Sequence, residues 1–131
     1  MANEISASLS LSVSNGAYSD RFAAANVKSD QAAQLGAAGV VTVGTAVQTL
    51  SIAPVTDAGY AAFRNLNTQT SGTHYVSIGA YVGTNLHEFA RLERNAAAVV
   101  PLSPSITIGL SAVTSTQYTQ PARLQYLVLS R

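Results

Sequence analysis

The feature that most constrains this chain is a rhythm. From Gly59 to Arg131, short apolar or β-branched runs (YAAFRNLN, THYVSIGAYV, LHEFARL, AAAVVPL, ITIGLSAV and RLQYLVLSR) alternate with clusters of turn residues. Strands that return about every 8–12 residues between turn signals predict an antiparallel sandwich or barrel. In the last run, Leu124, Tyr126 and Val128 fall on one side of an extended chain and Gln125, Leu127 and Leu129 on the other, so nearly both faces are apolar. Such a strand is buried on both sides, or has one face in a core and the other against a neighbouring subunit.

The N-terminal half carries a cleaner alternation. In EISASLSLSVS, Ile5, Ala7, Leu9, Leu11 and Val13 share one face while Ser6, Ser8, Ser10 and Ser12 share the other. A period of two predicts a half-buried strand with a solvated back. It ends at Asn15-Gly16, a dipeptide that tolerates the positive φ of a type I′ turn, so a hairpin into Ala17–Phe22 is expected. Within residues 23–39, Asn26, Ser29 and Asp30 break any helical stripe, and the segment reads as irregular with a strand fragment around Asn26–Lys28. VVTVG and AVQTLSIAP then read as two strands parted by Gly44-Thr45, the second closed by Pro54.

Further on, the polar cluster Asn67–Gly72 has the composition of an exposed hairpin tip, and Gly79 suggests a bulge or a close backbone approach. LHEFARL has no cleanly apolar face. Glu93–Asn95, the Pro101/Pro104 corner and Ser115–Pro121 supply the remaining turns. These signals predict one domain over residues 1–131. Its fold class is all-β, an antiparallel two-sheet β-sandwich that is jelly-roll-like, with an immunoglobulin-like order as second choice.

Composition narrows the function. The 131 residues include no cysteine, which removes disulfides, thiolate metal sites and thiol catalysis. Seven basic and six acidic residues give a net charge of +1, not the basic field that displaces counterions from nucleic acid. No apolar run approaches the roughly 20 residues that span a bilayer. The start MANEISASLS, with Glu4 and no basic region, predicts no secretory leader and synthesis in a cytoplasm. Charged residues make up only 10% of the chain, against roughly 25% in ordinary soluble domains. So lightly charged a surface is weakly protected against association and reads as one that expects neighbours.

Catalytic signals are scarce. His74 and His87, with Glu88, are residue types that bind zinc or a harder transition metal, but no ligand motif such as H-E-x-x-H joins them, and they read as surface or rim histidines. No serine stands in a G-x-S-x-G elbow, and GAAGVVTVG lacks the lysine and helix of a phosphate-binding loop. The expectation is no enzyme, no catalytic residue, no metal and no cofactor. The more suggestive side chains are those that anchor protein interfaces: Arg64, Arg91, Arg94 and Arg123, whose guanidinium forks bind carboxylates in two-pronged fashion, and Tyr81 and Tyr126. Tyr60, Tyr75, Tyr81, Tyr118 and Tyr126 also admit a role in the core or as a sugar-stacking platform, which keeps a carbohydrate-binding jelly-roll module as an alternative of another class.

The progression FRNLN, HYVSIGAYV, HEFARLERNAAAVVPLSP and ARLQYLVLSR resembles the small β-sandwich virion proteins of tailed bacteriophages, capsid cement or decoration proteins among them. The resemblance covers roughly residues 59–131 and lies in the order of elements. It implies a non-enzymatic jelly-roll subunit of the virion, commonly a trimer, whose partners are the major capsid protein or other virion proteins and further copies of itself. Neither nucleic acid nor membrane is implied as a partner. A neck, tail or fibre-base component is the alternative within the same class. Its N-terminal strand could add to a neighbour's sheet edge, since main-chain hydrogen bonds need no particular side chain.

Overall fold

A computed structural model describes residues 4–31 and 35–131. Residues 1–3 and 32–34 lie outside it, and with them the start of the leader reading and part of the segment 23–39. Ten strands follow in order: β1 (Ile5–Asn15), β2 (Tyr18–Ser29), β3 (Gly36–Thr42), β4 (Gln48–Thr49), β5 (Ala58–Asn65), β6 (His74–Val82), β7 (Asn85–Leu92), β8 (Ala97–Pro101), β9 (Ile108–Thr114) and β10 (Arg123–Ser130). The protein is an all-β antiparallel sandwich. One sheet has the order β3-β10-β5-β8, the other β4-β9-β6-β7, and β1 and β2 form a separate two-stranded ribbon.

The pairing is nested. β3 pairs with β10, β4 with β9, β5 with β8 and β6 with β7, so the chain from Gly36 onward is a double ribbon folded across two layers. Inward side chains alternate along each strand, as the pleat requires. Leu124 and Val128 of β10 and Ala61 and Phe63 of β5 meet Val76 and Ile78 of β6 and Ile108, Leu110 and Ala112 of β9 in one buried cluster. Because β10 lies between β3 and β5, its inner residues reach the centre of that cluster.

The turns sit near where residue types predict them, with differences of register. At the ribbon tip Asn15 pairs with Tyr18, so the two-residue loop is Gly16-Ala17, and Gly16 takes the positive φ (59°). That places glycine at the first central position, one residue later than a turn centred on Asn15-Gly16. β2 continues from Tyr18 to Ser29, so the predicted fragment around Asn26–Lys28 is the end of a long strand. Asn26 interrupts it with φ 56° opposite a register shift between Ala7 and Leu9.

Three expectations need correction. The apolar face of β1 is not half-buried: Ile5 is buried, but Leu11 is 72% exposed, because no second layer covers the ribbon beyond its base. Asn67–Gly72 is not an exposed hairpin tip. It crosses from β5 in one sheet to β6 in the other, and Asn67 is fully buried. His74, expected at the surface or rim, is also buried, whereas His87 is exposed.

Candidate functional site

Four regions combine polar or apolar groups in ways that could serve a function. The first is the end of the sandwich where the β5–β6 and β9–β10 connections meet. Asn65 Oδ1 accepts the Asn67 N–H (3.0 Å), while Asn65 Nδ2 donates to the Leu92 carbonyl (3.0 Å). The backbone thus fixes the amide orientation, and the same Nδ2 faces His74 Nε2 at 2.9 Å, which must therefore act as acceptor. The proton belongs on His74 Nδ1, a buried atom with no hydrogen-bond partner. The imidazole stacks on Tyr118, with centroids 4.4 Å apart and planes 8° from parallel. Burial lowers the His74 pKa; Glu93 opposes the shift and Arg94 adds to it.

Around this pair the connections are clasped together. Asn67 Nδ2 donates to the Tyr118 hydroxyl (2.6 Å) and the Pro121 carbonyl (2.9 Å), and its Oδ1 accepts the Arg123 N–H (2.8 Å). Gln120 Oε1 accepts the N–H groups of Thr68 and Gln69, and Gln69 Oε1 accepts those of Thr119 and Gln120. These bonds run from one connection to the other and hold the two loops as one body. Among the described residues no group of three His, Asp or Glu side chains is placed to share a metal ion.

The second region is the outer face of β4-β9-β6-β7. The Arg91 guanidinium lies 4.1 Å from the Tyr75 ring centre, and its Nε bonds Glu88 Oε1 at 3.1 Å. Ser77 Oγ donates to the same oxygen (3.2 Å). The hydrogen bond from Arg91 holds the Glu88 carboxyl below its ordinary range. Beside them Leu86 and Tyr81 fold over Gly109, where a methyl group would stand only 2.7 Å from Leu86 Cδ1. This face is engaged with itself.

The third region is the outer face of β3-β10-β5-β8, and it is the opposite case. Cross-strand partners arrange its outward residues in rows: Gly36, Leu129, Tyr60 and Pro101; then Ala38, Leu127, Ala62 and Val99; then Val40, Gln125, Arg64 and Ala97; then Thr42 and Arg123. Val40 is 58% exposed, Leu127 41% and Val99 39%. Small side chains between them leave a shallow dish of about 510 Å³. Arg64 stands at one end of it with Arg123 in the next outward row beyond, and Arg64 Nη2 donates to Asn95 Oδ1 (2.8 Å). A continuous apolar patch of this kind on an otherwise lightly charged surface marks an interaction surface.

The ribbon presents a second such surface. On one of its faces lie Leu9 with its cross-strand partner Ala24, Leu11 with Phe22, and Val13 with Asp20. Phe22 is 64% exposed, and serines line much of the other face. At its base, Ile5 and Ala7 line a hollow with Tyr60, Ala62, Val99, Leu127 and Leu129, so the ribbon springs from the same sheet face that carries the dish.

The structure distributes the six arginine and tyrosine candidates over several places. It puts Arg64 at the end of the dish with Arg123 in the next outward row beyond it, and Arg91 and Tyr81 on the opposite face. Arg94 lies at the loop end, donating to the Thr70 carbonyl (3.2 Å). Tyr126 points inward, packing against the core with its hydroxyl over Gly39. Sequence reasoning singled out β10 as two-faced but did not extend the same test to GAAGVVT and AAAVVPL, which are equally apolar on both sides and supply Val40 and Val99. Compared with protein-family models, with curated proteins and with solved structures, the chain has no match in any of the three.

Proposed function

We propose that this chain is a structural subunit of a bacteriophage particle, a self-associating protein that decorates or cements the capsid through apolar contacts. The observation that carries the reading is the exposed apolar dish on β3-β10-β5-β8, a prepared contact surface on a scaffold whose polar groups are directed at one another. The nested strand order supports it, since such an order is compatible with a jelly roll, an architecture that recurs in viral capsid domains. A cementing subunit has to bury area repeatedly across symmetry-related contacts and has no need of a reaction centre. Lectin domains also use this architecture. Of the tyrosines on the outer face of β4-β9-β6-β7, Tyr75 is covered by Arg91 and so is closed to sugar stacking.

Antibody labelling of intact particles from the genome that encodes the chain tests the proposal under the electron microscope. Label spaced regularly over the head is the expected result. Label confined to the neck or tail moves the protein to that part of the particle, and particles free of the chain overturn the reading.

A further inference from the structure

We propose that the β1–β2 ribbon is an exchange arm, its apolar face lying in the dish of a second copy of this chain and its own dish receiving an arm in turn. The argument begins with the ribbon's instability alone. A two-stranded hairpin is marginal in water, and one that exposes Leu11, Phe22 and Val13 on a single face has neither a third strand nor a covering layer. Its sequence is nevertheless patterned for burial on that face, with serine kept to the other.

The dish complements this face in shape and charge. Its floor is built of small side chains, Ala38, Ala62 and Ala97, whereas the arm projects large ones, so Leu11 and Phe22 have depressions to enter. The arm carries one acidic residue on its apolar face, Asp20, near the tip, and the dish has Arg64 at one end with Arg123 in the next outward row beyond it. The base of the arm already packs on this sheet face through Ile5 and Ala7, so an incoming arm would extend an existing apolar contact. Beyond that base the ribbon leaves its own sheet uncovered. Each copy therefore offers one arm and one vacant dish, a head-to-tail arrangement that a closed ring satisfies completely.

The inference rests on the reading of the chain as a self-associating subunit and names the surfaces involved. Because the protein has no cysteine, single thiols can be placed at will. Phe22→Cys in one preparation and Ala62→Cys in another are mixed at assembling concentration and oxidised; a disulfide requires Cα atoms about 4.4–6.8 Å apart, so it reports a seated arm rather than a collision. The expected product is a mixed dimer absent from either preparation alone. The double variant oxidised at high dilution should remain open; an intramolecular bond there would show the arm closing on its own sheet and overturn the proposal, as would a mixture that never cross-links.

In parallel, Leu11→Asp introduces a carboxylate that would be buried without a partner, and should raise the dissociation constant for self-association at least about tenfold. The thermal transition of the dilute variant should stay at the wild-type position, since Leu11 lies outside the core cluster. An assembly unmoved by this change overturns the proposal. Particle binding, measured separately by co-sedimentation, keeps the two readings apart: cross-linking without particle binding removes the virion role only, and particle binding without cross-linking removes the exchange arm only.

Discussion

At the scale of single residues, the end of the sandwich is governed by the tautomer of His74. Its Nε2 accepts from Asn65, whose orientation is set by the Asn67 N–H and the Leu92 carbonyl, so a second proton on the ring would face a donor it cannot bond. The folded-state pKa is lowered from 6.5, chiefly by burial, so the native state binds fewer protons than the unfolded chain below that value. By linkage, the stability contributed here is fully present above pH 6.5 and is lost as pH falls through the lower folded value. This window is distinct from that of Glu88, whose pKa is held below 4.5 by Arg91 and whose contribution is lost only in stronger acid. Thermal unfolding over a pH series should therefore show a decline beginning near 6.5 that His74→Phe abolishes; a slope unchanged in the variant would refute the assignment. Asn67 makes the complementary case. Asn67→Ala removes three hydrogen bonds at once and strands the groups that made them, an expected loss of about 2–3 kcal/mol in denaturant titration.

At the scale of elements, bulges and two-faced strands decide what the chain can show in advance. Gly79 was legible as a bulge or close approach, and it is both: a register shift falls between Ile78 and Gly79, and an added methyl would press on the His87 carbonyl and stand 2.8 Å from Glu88 Cα. Gly79→Ala should then cost about 1–3 kcal/mol, because the partner atoms are backbone and cannot swing aside. Gly83→Ala meets open space and strains only the positive φ of 65°, so its cost should be nearer 1 kcal/mol. Equal losses for the two variants in equilibrium unfolding would contradict this ordering. The same bulge explains why LHEFARL showed no clean face. Phe89 is the extra residue between Glu88 and Ala90, so the alternation changes phase halfway along the strand. The strands of the sandwich were readable because the pleat writes burial into every second residue. The ribbon misled for the reciprocal reason, since alternation records a face meant for burial but not whether the same chain covers it. His74 and Asn67 were hidden altogether, because burial of a polar side chain depends on partners up to 56 residues away that no local pattern announces.

At the scale of the whole molecule, charge and shape point to the same division of labour. The sandwich directs its polar groups inward or at neighbours on its own surface, as Gln69 with Gln120 and Arg91 with Glu88 illustrate. Among the described residues, exposed apolar side chains stand together on the dish and on the arm, with others such as Val82 and Phe89 on the second sheet. With charged residues at 10% of the chain, long-range repulsion does little to keep copies apart, and the contact they make should follow concentration closely. Arg21 and Lys28 make the arm its own reporter, since both stand exposed on β2 within reach of trypsin. In a dilute solution the marginal ribbon opens readily, and cleavage of the open form should be fast at Arg21 while the core from β3 to β10 survives. In an assembled solution the same bond should be cut at least about tenfold more slowly, because seating the arm lowers the open population by the free energy of association. Mass spectrometry of early fragments at two protein concentrations reads the difference directly. A first cut inside the sandwich would show that the arm is not the weak element of the fold, and a rate at Arg21 indifferent to concentration would show that association leaves the arm uncovered.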